Sequence, residues 1–319
     1  MNLRRTLAFL LAFVCSGAFA QGYPAKPVRI VVPFAAGGAT DIVTRLVAQK
    51  LTETWGQSVI VENRGGAGGN IGAEAVVNSP PDGYTLLMTS GSIVTANQHI
   101  YKKMAFDPAK DLLPITNVAS GPQVIVVNPN FPAKNLQQFI DAARAKPGML
   151  NYGHAGIGTQ THLAAENFLL AANLNVISIP YKGEGPAMTD LVANQINMVT
   201  ANIAGAIGHI NQGKLRALAV TGKQRSAQLP DVPAAAESLP GFENAGWFGL
   251  MAPVGTPKEI IDKVYRDTAK VLDTTEMRAR FYVLGMVPVG NTPAQFAAAI
   301  REETGLWARV VRERKIVVN

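Results

Sequence analysis

Glycines and hydroxyl side chains stand together in three segments that could bind an anion. Residues 33–41, 153–162 and 181–186 each follow a predicted strand and lead into a predicted helix. Ligands of open α/β sheets bind beyond the carboxyl ends of the strands, where helix N-termini present unpaired N–H groups. Thr159 and Thr161 add hydroxyl donors at the start of the second of these helices. Because the helix dipole and charge-assisted hydrogen bonds both favour an anion, we expect this second segment to bind a carboxylate.

Purely structural interpretations of these glycine-containing segments stay open. Gly37 and Gly38 allow the backbone to approach a ligand closely, and they equally suit a tight turn. Asp41 either caps the helix or contacts a ligand or its water. Tyr181 belongs either to the core or to the ligand cleft. For the glycines at 65–69 we favour a structural turn.

The sequence lacks the complete motifs of common enzyme sites. A dinucleotide loop requires glycine where Ile71 stands, and a phosphate loop requires Ser or Thr where Leu215 stands. No Gly-x-Ser-x-Gly elbow occurs. The four histidines do not have metal-ligand spacing, so we expect no metal and no cofactor. A secreted α/β enzyme that uses His154 or His162 with Asp41 as a base is kept as an alternative.

Strands that alternate with helices must position these segments. Runs of β-branched residues predict strands over 28–32, 59–61, 84–88, 124–127, 150–152, 176–179, 196–200, 215–220 and 247–251. Periodic apolar positions predict helices over 40–55, 71–78, 136–145, 161–172, 186–194, 203–212, 257–272 and 293–311. The alternation indicates βαβ units and mostly parallel sheets, hence an α/β fold.

The chain is long enough for two lobes, and two segments could carry it from one lobe to the other. These crossing candidates lie near 119–123 and 240–246. We therefore expect one lobe over 21–121 plus 246–319 and a second over 122–245, each a mostly parallel sheet flanked by helices. A cleft between two lobes suits a ligand that must be enclosed and later released.

The first twenty residues have the pattern of a secretory signal peptide. Two arginines precede the apolar run 6–15, and the small-x-small sequence at 18–20 predicts cleavage after Ala20. Cys15 is the only cysteine, so the mature chain is expected to have neither a disulfide nor a thiol. A lipoprotein anchored through Cys15 is the less favoured alternative, because bulky residues precede it where small ones are expected.

Composition and charge exclude further classes of protein. Hydrophobic residues make up 48% of the 319 and charged residues 16%, which excludes a largely disordered chain. The net charge of +7 falls to +5 without the leader, and no cluster of lysines and arginines is interleaved with aromatic residues. We therefore expect no nucleic-acid partner. No stretch after the leader reaches 18 apolar residues, so we expect the mature chain to be soluble.

Several longer motifs occur in order along the whole mature chain. Three of them are Val32-Pro33-Phe34-x-x-Gly37-Gly38-x-Thr40-Asp41, Tyr152-Gly153-x-Ala155-Gly156-x-Gly158-Thr159 and Pro180-Tyr181-Lys182-Gly183. Further motifs lie at 23–27, 61–69, 81–87, 213–221, 229–233 and 252–257. On these motifs the chain resembles the Bug-type extracytoplasmic receptors of tripartite tricarboxylate transporters.

The resemblance implies a type II-like periplasmic binding protein whose two α/β lobes close on a small organic carboxylate. Members of this family bind dicarboxylates, tricarboxylates, acidic amino acids or aromatic acids, usually without large cationic side chains in the cleft. The resemblance also implies a monomer in the periplasm whose partners are integral membrane subunits of the transporter. A receptor that serves signalling instead of transport is an alternative.

The resemblance assigns ligand-binding roles to individual segments. The segment at 156–161 would hold one carboxylate, and the segment at 34–41 would face the other end of the ligand, partly through waters. His154 stands where the family often has serine, and it either adds a donor or narrows the pocket. Residues 200–202 replace a more usual aromatic or acidic stretch, which leaves the identity of the ligand open. The residues expected to bind ligand are Phe34, Gly38, Ala39, Thr40, Asp41, His154, Gly156, Gly158, Thr159, Thr161, Tyr181, Ala201 and Asn202.

Overall fold

The structure is a computed structural model that describes residues 22–314, 316 and 317. The predicted signal peptide and its cleavage site after Ala20 lie outside the described residues. Among those residues, no helix combines the length and the apolar character that a membrane span requires.

Strands and helices alternate along most of the chain. The strands are β1 (Val28–Val32), β2 (Val59–Asn63), β3 (Thr85–Ser90), β4 (Leu112–Val127), β5 (Asn151–His154), β6 (Ile177–Pro180), β7 (Met198–Asn202), β8 (Arg216–Val220), β9 (Ala245–Pro253) and β10 (Val287–Pro288). The helices are α1 (Ala39–Trp55), α2 (Asn70–Val77), α3 (Gly91–Thr95), α4 (Asn97–Ile100), α5 (Pro108–Asp111), α6 (Leu136–Ala145), α7 (Gln160–Ala171), α8 (Glu184–Val192), α9 (Ile203–Asn211), α10 (Lys258–Leu272), α11 (Thr275–Val283) and α12 (Pro293–Arg314). Every predicted strand and helix has a counterpart here.

The strands form two sheet regions that share the long strand β4. The strand order is β2-β1-β3-β9-β4-β7-β5-β6, and β8 and β10 also pair with β4. Up to Pro122, β4 pairs with β9, and from Gln123 onward it pairs with β7, with β8 alongside from Val124. This change of partners supports a crossing near 119–123, and the predicted lobe limits stay a prediction. The two-lobed α/β architecture itself is confirmed by the solved structures compared below.

Both sheet regions are mixed, and in each of them most strands run in one direction, as predicted. β1 runs parallel to β2 and β3, and β5 runs parallel to β6 and β7. Every described pairing that involves β4 or β9 is antiparallel. The physical reason is the path of the chain. β4 carries it toward the second lobe and β9 carries it back, so the two strands lie side by side in opposite directions.

The continuous apolar runs of the strands reflect burial on both faces. In β1, Ile30 packs with Val47 of α1, whereas Val31 packs with Val76 of α2 on the other face. β4 repeats this pattern in the second lobe, where alternate residues belong to two separate hydrophobic clusters. Because helices cover both faces of these strands, polar and apolar residues do not alternate along them. The sheets are thereby fixed as rigid supports for the loops at their ends.

Candidate functional site

A small cavity lies where loops of the two sheet regions meet. It has about 290 Å³ of empty space, part of which is open to solvent, and it is lined by residues from both sides of the crossing strands. Among the predicted ligand-binding residues, the structure brings seven to its wall: Phe34, Gly38, Ala39, Thr40, Thr159, Thr161 and Asn202. Five further lining residues were not predicted: Ser90, Ala155, Gln160, Glu184 and Phe248. The cavity therefore forms where all three predicted glycine segments meet, the third of them contributing Glu184.

The first wall of the cavity is the start of α1. Gly37 has a φ of 84°, a conformation that glycine adopts without strain, and it turns the chain from β1 into the helix. Asp41 accepts hydrogen bonds from the Gly37 amide at 3.1 Å and from Arg45 Nε and Asn63 Nδ2, both at 3.0 Å. Burial alone would raise the pKa of Asp41, but these hydrogen bonds outweigh it and lower the pKa. Asp41 does not line the cavity, and its carboxylate fixes the loop instead.

The second wall is the start of α7. Thr159 is the N-cap residue, and its hydroxyl donates to the Gly156 carbonyl at 2.7 Å. Thr161 Oγ1 accepts the Ala155 amide at 2.9 Å. The hydrogen of the Thr161 hydroxyl can therefore turn either to Thr159 Oγ1, 3.2 Å away, or to a ligand. The amides of Gln160 and Thr161 belong to the first turn, where N–H groups have no partner within the helix.

Two buried histidines lie behind this loop. The Gly156 amide donates to His154 Nδ1 and the Gly158 amide donates to His162 Nδ1, both at 3.2 Å. Burial, together with the neighbouring His162, lowers the pKa of His154 to about 3. Burial lowers the pKa of His162 to about 4. Both rings are therefore neutral at pH 7 and act as acceptors.

The histidines change the predicted role of the loop glycines. The amides of Gly156 and Gly158 point to imidazole nitrogens, so they do not face the cavity as ligand donors. Because Nδ1 of this neutral ring accepts the Gly156 amide, His154 donates from Nε2 to Ser178 Oγ at 2.8 Å, and it does not line the cavity. In this tight turn, each of the two glycine amides donates to a histidine side chain. Residue types alone do not predict this local arrangement.

Tyr181 and Ala201 also lie away from the cavity. The Tyr181 hydroxyl donates to Asp190 at 2.6 Å, and its ring lines a more open apolar groove outside the cavity. Ala201 is fully buried in a hydrophobic cluster of the second lobe. Its neighbour Asn202 is the residue of this stretch that reaches the wall.

Glu184 is the only ionisable side chain among the described residues that line the cavity, and it is only 5% exposed. Its Oε1 accepts the Asn202 amide at 2.7 Å, and its Oε2 accepts Asn202 Nδ2 at 2.9 Å and the Ala39 amide at 3.4 Å. Glu184 begins α8, Asn202 precedes α9 and Ala39 begins α1, so three helix N-termini meet at one carboxylate. Burial raises the pKa of Glu184 to about 6 despite these hydrogen bonds.

The cavity offers uncharged donors rather than cations or metal ligands. Around it, the part of the chain that the structure describes contributes no lysine, arginine or histidine. Residues 22–314, 316 and 317 also contain no group of three or more His, Cys, Asp or Glu side chains that could hold a metal ion. Amides, hydroxyls and two phenylalanine rings at the wall suit a small acid with an apolar part.

Comparisons with known proteins agree with this geometry. A family model described as the tripartite tricarboxylate transporter family receptor matches residues 43–316. Protein BugT of Bordetella pertussis is 37% identical over 320 residues, which cover 98% of each chain. The solved structure of R. palustris Rpa4515 with adipate has a TM-score of 0.90 at 33% identity and covers 92% of this chain and 99% of that one. MatC from Rhodopseudomonas palustris with bound malate has a TM-score of 0.86 at 33% identity, covering 91% of this chain and 100% of that one.

Proposed function

The chain belongs to the receptor family of tripartite tricarboxylate transporters, and we propose that its cavity captures a small organic carboxylate. The observation that carries the proposal is the start of α7 at the cavity wall. There, first-turn amides and the Thr161 hydroxyl face a space that no lysine, arginine or histidine of the described residues lines. We propose that the ligand carboxylate lies against these donors, while Phe34 and Phe248 contact its carbon chain.

Relatives support a carboxylate rather than another anion. Rpa4515 was solved with adipate and MatC with malate, and both cover almost the whole of this chain.

We further propose that the protein is exported, with cleavage after Ala20, and hands its ligand unchanged to integral membrane subunits. Because the cavity walls come from both lobes, we expect the ligand to bind the closed arrangement of the lobes more tightly than the open one. This difference in affinity sets how far ligand binding shifts the equilibrium toward the closed arrangement. No step of catalysis is needed for this role. Recovery of a bound acid unchanged after long incubation, measured by mass spectrometry, tests the absence of turnover.

The site is tested by removing its two hydroxyls. A panel of organic acids is first screened by thermal shift, since a ligand that binds the folded state raises the unfolding temperature. The acid that binds most tightly is then titrated by calorimetry against the double variant Thr159→Ala, Thr161→Ala. A hydrogen bond to a charged group contributes roughly 1.5–3 kcal/mol, so we expect Kd to rise about tenfold or more.

Two controls separate ligand binding from helix capping. Thr159→Ser with Thr161→Ser keeps both hydroxyls and should keep the affinity. The Thr274 hydroxyl caps α11 by accepting the Met277 amide. Thr274→Ala removes this cap and should lower the stability of the protein without changing Kd. An unchanged Kd in the double alanine variant would reject the start of α7 as the carboxylate site.

A further inference from the structure

We propose that Glu184 selects the class of ligand: a monocarboxylate with a hydrogen-bond donor or a positive charge at its other end, rather than a dicarboxylate. This inference rests on the proposed capture of a carboxylate at the start of α7. It assigns to Glu184 the role of a specificity-determining residue on the opposite wall.

A carboxylate of the protein itself, that of Glu184, already lies at the start of α1. The Glu184 carboxylate accepts the Ala39 amide of that helix and both nitrogens of Asn202. It thereby takes up the Ala39 amide, one of the first-turn donors of α1 that a second ligand carboxylate would use. Of the starts of α1 and α7 at the cavity, that of α7 is the one whose first turn has no carboxylate of the described residues as a partner, so we place the ligand carboxylate there.

A second ligand carboxylate would also meet uncompensated repulsion. The cavity is small, Glu184 is almost completely buried, and no cation lines the described part of the wall. Like charges in such a weakly screened space repel each other strongly. A dicarboxylate would place three negative charges in one cavity, whereas a monocarboxylate with a neutral or cationic end would place two or balance one of them.

Glu184 can still accept a hydrogen bond from the ligand. A carboxylate has about four acceptor positions, and the three contacts from Asn202 and Ala39 use three of them. The remaining position suits an N–H or O–H group of the ligand. An ammonium group would add charge complementarity to that hydrogen bond.

Matched probe acids test this selectivity on the wild-type protein. Succinate, succinamate and 4-aminobutanoate differ only at one end, and adipate, adipamate and 6-aminohexanoate form the longer set. Calorimetry at pH 7.5 should give the amide or the ammonium compound a Kd about tenfold or more below that of the dicarboxylate, in at least one set. A preference for the dicarboxylate in both sets would overturn the inference while leaving the carboxylate receptor intact.

The variant Glu184→Gln assigns the selectivity to this residue. It removes the charge and keeps the shape, so the dicarboxylate should bind about tenfold more tightly and the ammonium compound about tenfold more weakly. Glu302→Gln makes the same change of charge at an exposed position of α12, and it should leave the Kd values of all six probe acids unchanged. Equal effects of the two variants would overturn the assignment, and if Glu184→Gln does not fold, the wild-type series decides. Failure of every acid in the wider panel and of all six probes to bind the wild type would instead reject the proposed function, and this inference with it.

Discussion

Neutral imidazole rings hold the loop before α7 in shape. His154 and His162 lie with ring centroids 4.4 Å apart, and each accepts an amide of the loop at Nδ1. Protonation would turn that nitrogen into a donor and break the hydrogen bond. The loop that presents Thr159 and Thr161 is therefore stable only while both rings stay uncharged.

Acid should destabilise the fold through these histidines. Their pKa values in the folded state are about 3 and about 4, below the ordinary value of 6.5, so the unfolded chain binds more protons. Their contribution to stability is present above pH 6.5 and is lost as the pH falls toward 4. His162→Asn keeps an acceptor for the Gly158 amide and does not titrate. In urea unfolding between pH 6 and pH 4, the variant should lose about 1.4 kcal/mol less per pH unit than the wild type.

Comparison of the two slopes isolates His162 together with its effect on the pKa of His154, because every carboxyl group is shared by both proteins. Glu184, whose pKa is raised, acts in the opposite direction and equally in both. Identical slopes for the wild type and His162→Asn would contradict the neutral, buried state of this ring.

Residue patterns predict part of the cavity wall and miss another part for a physical reason. Thr159 and Thr161 are predictable because their role follows from a local feature, a helix start after a glycine loop. Glu184 also begins a helix, where an acidic residue is ordinarily explained by the dipole of its own helix. Its partner Ala39 is 145 residues away in the sequence, and no local pattern carries that contact.

At the scale of single elements, a helix cap can be tested away from the cavity. Asn135 precedes α6, and its side chain accepts the Gln138 amide at 2.9 Å. Asn135→Ala should lower the free energy of unfolding by about 1 kcal/mol, since one amide of the first turn loses its partner. Urea titration measures the loss, and ligand affinity should not change. Asn135→Asp should keep most of the stability, and a loss as large as that of alanine would argue against capping.

Several of the elements that the sequence analysis missed have weak local signals. Only the last four residues of β4 were predicted, because its earlier part contains prolines and shifts register twice against β9. α3, α4 and α5 have four or five residues each, too few for a helical period to be recognised. Their positions depend on tertiary contacts, as where Thr95 donates to Glu303 of α12 at 3.3 Å.

At the scale of the whole molecule, the two lobes meet through close backbone contacts around the cavity. The Ala35 amide donates to the Lys182 carbonyl at 3.2 Å, and the Tyr101 hydroxyl donates to the Ile157 carbonyl at 2.7 Å. Gly185 packs against the loop before α1, where a Cβ atom would be 2.7 Å from the Ala36 carbonyl oxygen. A side chain at this position would hold the lobes apart, because backbone atoms of α8 and of the loop before α1 would have to separate.

Gly185→Ala should therefore weaken ligand binding by obstructing closure. Its φ lies outside the left-handed region and it belongs to α8, so alanine suits the helix and should raise the stability of the open protein by up to about 1 kcal/mol. We expect Kd for the most tightly bound acid to rise about tenfold or more, and small-angle scattering to show less compaction when that acid is added. Gly208→Ala is the matched control, since it lies in α9 of the same lobe with no atom within 4 Å of its added Cβ. Equal affinity and equal compaction in the two variants would mean that binding does not require this approach of the lobes.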